Sequence, residues 1–355
     1  MKIVVLCGGL STERKISFST GTRVCGALRE AGHQAVLVDL FLGLEDLDTK
    51  YRKKPELLFD ELLPLEEVVF DGREPDLDAV RASRKLKSDS LFGEGVIEIC
   101  RAADVVFIGL HGLNGEDGRI QAAFDMLGIA YTGSGYLGAA MTMDKMITKQ
   151  MLRPLGVPTP DWKYYTNVTE DEISGIIAKT SLPCVVKTPT GGSSVGVVIV
   201  RETGELEPAI RQCLTYSRNL LIEEYIPGRE FTCGVLMDRA LPSVEIAPKV
   251  RFYDYSSKYQ PGATEEICPG RCSEAVENRM HDIALFVHRK MGLSTYSRSD
   301  FIVDDNDNVY FLEVNTLPGM TPTSLVPQEA AAAGISYREL CVMIVEDALR
   351  LRGKA

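Results

Sequence analysis

Apolar residues along this chain come in short runs separated by glycine, proline and charged clusters, and their spacing alternates between strand and helix periods. Ile3 to Cys7 is one such run, ended by Gly8 and Gly9; a helical pattern follows from Ile16 to Ala31, and Gln34 to Leu40 reads as the next strand. Strand, glycine turn, helix and strand in that order predict an opening α/β unit with parallel strands. Asp104 to Leu110 is a further apolar strand, running into a glycine-rich loop from His111 to Gly118, with a helix over Ile120 to Leu127. Asp144 stands where it can cap a helix to about Leu155, on which Lys145 and Lys149 lie four apart on one face. That spacing suits a wet helix face or a contact with phosphate. A second α/β unit begins near Pro158, and helices are predicted from Glu274 to Met291 and from Tyr337 to Leu351.

Two stretches lack a period. The segment from about Gly43 to Gly95 is charged and reads as an insertion on the edge of the first unit, with no chemistry attached. Arg251 to Pro269 is long, aromatic and polar; a structureless loop of that length is a lid or is disordered, and its rings argue for a lid carrying Lys258 and Tyr259.

The candidate chemistry gathers near the end of the chain. Ser297 to Val303 and Val309 to Val314 flank the turn-forming cluster Asp304 to Asn308 and predict a hairpin. Side chains alternate across a strand, so Glu313 and Asn315 share a face, and Asp300 and Arg298 meet them from the partner strand. Two carboxylates and an amide oxygen suit Mg²⁺ held with the phosphates of a nucleotide. The same residues also fit a solvated hairpin face. The turn Asn315 to Met320 favours the cation, because it puts backbone amides within reach of a small anionic substrate.

Other pieces carry two readings each. Lys187 ends an apolar strand and is followed by Thr188-Pro189-Thr190-Gly191-Gly192-Ser193-Ser194, which either covers a triphosphate or is only a turn. Lysine is seldom buried unless paired, which makes Lys187 the harder residue to dismiss. Glu223, Ile226 and Glu230 surround the turn Pro227-Gly228, which either lines an adenine pocket or is a surface hairpin. Glu13 is either a helix-start carboxylate or a holder of ammonium. His111 either bonds a backbone carbonyl or works at a site.

Composition narrows the partners. With 355 residues and 45% hydrophobic content, the chain can fill two or three cores. A net charge of -11 excludes a general nucleic-acid binder. Nine scattered cysteines fit reduced thiols in a cytoplasmic protein, and no apolar run reaches the roughly 18 residues that span a bilayer.

In order along the chain, LHGLNGEDGRIQAAFDMLGIAYTGSG, MDKMITK, VVKTPTGGSSVGV, LIEEYIPGREFT, YDYSSKY and RSDFI…FLEVNTLPGMT resemble the D-alanine:D-alanine ligases of the ATP-grasp superfamily. The resemblance implies an α/β chain of three domains: a parallel α/β domain over 1–133, a central domain over 134–224 and a catalytic domain over 225–355, with nucleotide between the last two. It implies that Lys145 and Lys187 contact the phosphates of ATP, Glu223 and Ile226 the adenine, and Glu230 the ribose. Ser193 and Ser194 belong to the loop that closes over them. Asp300, Glu313 and Asn315 match ligands of Mg²⁺ or Mn²⁺, with two ions expected.

By the same resemblance Glu13 holds the ammonium of the first D-alanine and joins Ser193 and Tyr259 in a bridge, with His111 nearby and Lys258 on the lid. Arg298 and Gly319 match groups around the reacting carbonyl, and Ser324 and Leu325 match contacts to the second D-alanine. The implied reaction phosphorylates the first D-alanine on its carboxylate, and the amine of the second displaces phosphate, under a lid that excludes water. Tyr259 favours D-alanine as acceptor over D-serine or D-lactate, the main rivals besides a sensor without turnover. Lys15 departs from the family pattern, where many relatives carry a glutamate. A cytoplasmic homodimer without membrane or nucleic-acid partners completes the expectation.

Overall fold

The structure is a computed structural model, and residues 1–66, 75–192, 196–248 and 264–353 are described. Three sheets follow one another along the chain. The first holds β1 (Lys2–Cys7), β2 (Gln34–Asp39) and β3 (Val105–Ile108) in the order β2-β1-β3, all parallel. Its strands are apolar on both faces, as a sheet covered by helices requires. Helix α1 (Arg14–Glu30) covers it, and α2 (Val96–Ala102) and α3 (Arg119–Leu127) lead into and out of β3.

The segment read as an insertion packs onto the first sheet through its earlier half, while most of residues 75–91 are exposed apart from Arg84. Short helices between Thr49 and Glu61 bury one or two side chains each rather than a stripe, among them Tyr51, Leu58 and Phe59, whereas the helix Leu77–Ser83 buries none. Arg84 is buried there too, donating to the carbonyls of Ser90 and Phe92.

Helix α4 (Tyr136–Met143) leads to α5 (Lys145–Leu152), whose start is fixed as the sequence suggests: the Asp144 carboxylate accepts from the amides of Met146 and Ile147 at 2.8 and 3.2 Å. The second sheet contains β4 (Trp162–Tyr165), β5 (Cys184–Lys187), β6 (Val197–Val200) and β7 (Leu220–Glu224), ordered β4-β7-β5-β6 and antiparallel. Helices α6 (Ile173–Ala178) and α7 (Thr203–Leu214) bury Ile176, Leu206 and Ile210 against it.

The third sheet is built from β8 (Arg229–Leu236), β9 (Arg239–Ala240), β10 (Val244–Pro248), β11 (Thr264–Ile267), β12 (Tyr296–Val303) and β13 (Val309–Asn315). β7 and β8 therefore lie in different sheets, so Pro227-Gly228 is a crossing between layers and not a hairpin. The lid reading also needs shortening, because Thr264–Ile267 is an edge strand paired with β10. Helix α8 (Glu274–Lys290) packs Val276, Met280 and Val287 on this sheet, where Phe301 and Phe311 meet edge-on at 6.1 Å.

The last two helices tie the layers together. α9 (Leu325–Ala332) packs on β8, and α10 (Tyr337–Leu351) returns to α1 and β3, burying Leu340, Ile344 and Ala348 in the core of the first sheet. Beyond it Arg352 stacks on the Tyr131 ring at 3.5 Å and donates to the Tyr131 carbonyl. Among the described residues, no helix is long and apolar enough to cross a membrane.

Candidate active site

The β12–β13 hairpin sets the chemistry. Its register pairs Asp300 with Glu313 and Arg298 with Asn315, and a shift just beyond Asp300 leaves these four on one surface. Arg298 grips the Asp300 carboxylate with two hydrogen bonds, Nε to Oδ1 at 2.8 Å and Nη2 to Oδ2 at 3.0 Å. Asn315 Nδ2 donates to Asp300 Oδ2 at 3.2 Å, which leaves the lone pairs of its amide oxygen for another partner.

Lys145, at the start of α5, reaches this surface from the opposite side. Its Nζ lies 2.9 Å from Glu313 Oε2 and donates to the Gly191 carbonyl at 2.8 Å. Burial opposes charge on Lys145, but the Glu313 carboxylate outweighs it and raises the ammonium above the ordinary lysine value.

Between the second and third sheets lies a cavity of about 370 Å³. Lys145, Lys187, Glu223, Ile226, Glu230, Asp300 and Glu313 all line it, so six β-strand or crossing residues and one helix residue converge on one space. Val185, Val197, Ile199, Ile246 and Ile302 supply apolar walls toward the Glu223 end, a slot with a few polar groups of the kind a purine fits. At that end Glu223 is buried with Lys187 Nζ 2.7 Å from Oε2 and Lys149 Nζ 2.8 Å from Oε1. Burial works against ionisation of Glu223, and the two ammoniums outweigh it, holding its carboxyl below the usual range.

The first sheet contributes a second wall. Glu13 is the N-cap of α1 and is buried. Gly112 makes room for it, since a Cβ there would fall 2.6 Å from Glu13 Oε2 and the residue sits at φ +69°, where side chains are strained. The buried His111 ring bridges layers: Nδ1 is 3.1 Å from the Leu317 carbonyl and Nε2 is 2.9 Å from Thr20 Oγ1. A carbonyl only accepts, so Nδ1 carries the proton, and Nε2 accepts from the hydroxyl in a neutral ring. Burial lowers its pKa, consistent with that form.

Gly319 follows the hairpin and approaches Ser324, the N-cap of α9, with Leu325 next; the Ser324 hydroxyl accepts from the Thr321 amide at 3.1 Å. Ser193, Ser194, Lys258 and Tyr259 lie outside the described residues, so the Glu13–Ser193–Tyr259 bridge and most of the lid do too.

Three groups take places that the sequence did not assign to them. Glu116 lines a narrow hollow with Lys145, Glu313 and Asn315 and accepts from the Gly112 amide at 2.8 Å. Burial, then the charge of Glu13, pushes its carboxyl up to about 8. Lys149 is not on a wet helix face but sealed behind Glu223. Glu329 of α9 is fully buried where β8 has Gly234, a Cβ at which would stand 2.2 Å from Glu329 Oε2; burial raises its carboxyl well above the usual range.

The sheets, the lysine-lined cleft between two of them and the acidic hairpin at its mouth define an ATP-grasp fold, which agrees with the architecture expected from sequence. Family models described as D-ala D-ala ligase N-terminus and C-terminus match residues 2–134 and 151–346. The D-alanine–D-alanine ligase of Lacticaseibacillus casei is 40% identical over 353 residues, covering 99% of this chain and 96% of the relative. That of Moorella thermoacetica is 38% identical, covering 98% and 99%. A crystal structure of the D-alanine–D-alanine ligase from Bacillus anthracis complexed with ATP superposes with a TM-score of 0.73 at 29% identity, covering 100% of this chain and 99% of that one. The chain belongs to the D-alanine–D-alanine ligase family.

Proposed function

We propose that this protein joins two D-alanines into D-alanyl-D-alanine at the expense of ATP, releasing ADP and phosphate, as a step in making peptidoglycan precursors. The observation that carries this reading is the convergence of Lys145, Lys187, Asp300 and Glu313 on one cavity whose far end is a slot beside Glu223. Full-length similarity to ligases of that name supports the substrate.

In this reading the triphosphate lies along Lys145 and Lys187, the base beside Glu223 and Ile226, and the ribose by Glu230. The family resemblance assigns Ser193 and Ser194 to the loop that closes over it. Each lysine already holds a carboxylate, so nucleotide binding is an exchange of partners rather than the filling of a neutral pocket. Asp300, Glu313 and the amide oxygen of Asn315 form a hard-oxygen set suited to Mg²⁺ or Mn²⁺, and the family resemblance implies two such ions. When bound, such a cation neutralises charge on the phosphates.

Glu13 takes the ammonium of the first D-alanine, with neutral His111 beside it, and the family resemblance assigns Lys258 and Tyr259 to the same substrate. The carboxylate oxygen of the first D-alanine attacks the γ-phosphorus, the bond from that phosphorus to the ADP oxygen breaks, and an acyl phosphate and ADP result. The second D-alanine is placed by Ser324 and Leu325. Its neutral amine attacks the acyl carbon, and Arg298 with the Gly319 amide stabilises the oxyanion before phosphate leaves. Arg298 is fit for this because its planar guanidinium is pre-aligned by Asp300. The partition into 1–133, 134–224 and 225–355, a homodimer and a cytoplasmic setting follow the family resemblance and the location of the ATP pool.

Incubation with ATP, Mg²⁺ and D-alanine is expected to yield ADP, phosphate and dipeptide in equal amounts. ADP release that requires D-lactate or D-serine, or that ignores D-alanine, would overturn the assignment.

A further inference from the structure

Lys149 has no part in the chemistry above, yet its side chain is less exposed than those of Lys145, Lys187 and Arg298, the described cations beside the hairpin and Glu223. It stands one turn beyond Lys145 on α5 with its side chain fully out of solvent. Besides Glu223, its ammonium contacts the Thr159 hydroxyl and lies 5.3 Å from the centre of the Trp162 ring. Burial draws Lys149 down to about 8, while Glu223 counters that pull. A fully buried ammonium is costly to hold, so its retention asks for a reason.

The reason lies in the asymmetry of the two lysines on Glu223. Lys187 lines the cavity beside Thr188 and Gly191, and Lys149 does not line it at all. Only Lys187 is therefore able to turn toward phosphate. When it does, Glu223 is left in an apolar slot with one cation, and without that cation it would take up a proton or hold Lys187 back. A protonated carboxyl offers a donor where an ionised one offers only acceptors, which matters for a base whose 6-position is an amino donor in adenine and a keto acceptor in guanine.

We propose that Lys149 is a positioning residue: it keeps Glu223 ionised and oriented after Lys187 moves to the phosphates, and so makes the base slot select a 6-amino purine over a 6-keto one. This rests on the reading that the cavity takes ATP with its base beside Glu223. Trp162 is the single tryptophan of the chain and touches Lys149, so its fluorescence reports directly on this cluster.

The test compares ATP and GTP binding, without amino acid, by Trp162 fluorescence in the full chain, in Lys149→Met, in Glu223→Gln and in the double variant. The wild type is expected to prefer ATP by at least about tenfold, and Lys149→Met to lose roughly tenfold in ATP affinity with the ATP-to-GTP ratio falling toward one. In turnover, Lys149→Met raises KM for ATP and lowers kcat, because Glu223 then retains Lys187. The double variant replaces the buried charges together, which folds more readily than either alone, and is expected within about twofold of Glu223→Gln. If Lys149→Met keeps the wild-type ratio, or fails to fold while the double variant binds ATP far more weakly than Glu223→Gln, the role is structural and the inference is wrong. A wild type that binds GTP as well as ATP would instead overturn the reading of the slot itself.

Discussion

One helix carries two lysine–glutamate pairs a single turn apart, and they differ in almost everything but length. Lys145 meets Glu313 at 2.9 Å, with 10% and 27% of the side chains exposed. Lys149 meets Glu223 at 2.8 Å, with 0% and 3% exposed. Distance alone would rank them equal. Solvent access separates them, because the outer pair can trade partners with a ligand cheaply while the inner one is desolvated and costly to break. The outer end of the cleft thus holds exchangeable charge where bonds are made, and the inner end holds fixed charge where the nucleotide is told apart.

The largest effect should appear at the outer end. Glu313→Gln keeps the shape and loses the charge, and kcat is expected to fall on the order of 10² to 10³-fold while ATP affinity changes little. Steady-state rates with fluorescence titration check this; unchanged turnover would break the contrast at its functional side. In stability the order reverses. Glu223→Ala leaves two buried ammoniums facing each other and should cost about 3–5 kcal/mol, whereas Glu313→Ala leaves one ammonium at the edge of solvent and should cost less. Urea unfolding measures both, and equal losses would mean that burial is not what distinguishes the pairs.

Titration sharpens the same comparison. Lysine side-chain NMR is expected to show Lys149 losing its proton near pH 8, pulled down by burial, while Lys145 holds its proton above the ordinary lysine value because of Glu313. A smaller effect isolates burial from pairing. His288 is buried beside Ser297 Oγ at 2.7 Å, and burial lowers it to about 4. Between its ordinary value and 4 the unfolded chain takes up a proton that the native one refuses, so stability falls as pH drops through that window. The slope from this one group is at most about 1.4 kcal/mol per pH unit, and His288→Asn should remove it from an acid-unfolding series.

How much of this was legible beforehand depends on the range of the contacts involved. Alternation along a strand is local, so Glu313, Asn315, Asp300 and Arg298 could be placed on one face from the sequence, and the observed register puts them there. The Asp144 cap was equally local. Lys149 was not: its spacing from Lys145 gave the face, but what closes that face is β7 and Trp162, which only the fold brings together. Glu329 sits in the alanine-rich end of helix α9 and looks like a surface residue until Gly234, almost a hundred positions away in sequence, is seen to leave space for it. Thr264–Ile267 carries two glutamates and reads as loop because an edge strand needs apolar contact on little of its surface. The Gly43 to Gly95 segment hid its buried Tyr51, Leu58 and Phe59 because short helices bury single residues without a period.

The central claim is that the cleft phosphorylates an amino-acid carboxylate before joining it to an amine. D-alanine labelled with ¹⁸O in its carboxylate tests that most directly in the wild-type protein with ATP and Mg²⁺. One labelled oxygen is expected in the released phosphate for every dipeptide formed; phosphate free of label, with all ¹⁸O retained in the dipeptide or shed to water, would rule the acyl phosphate out.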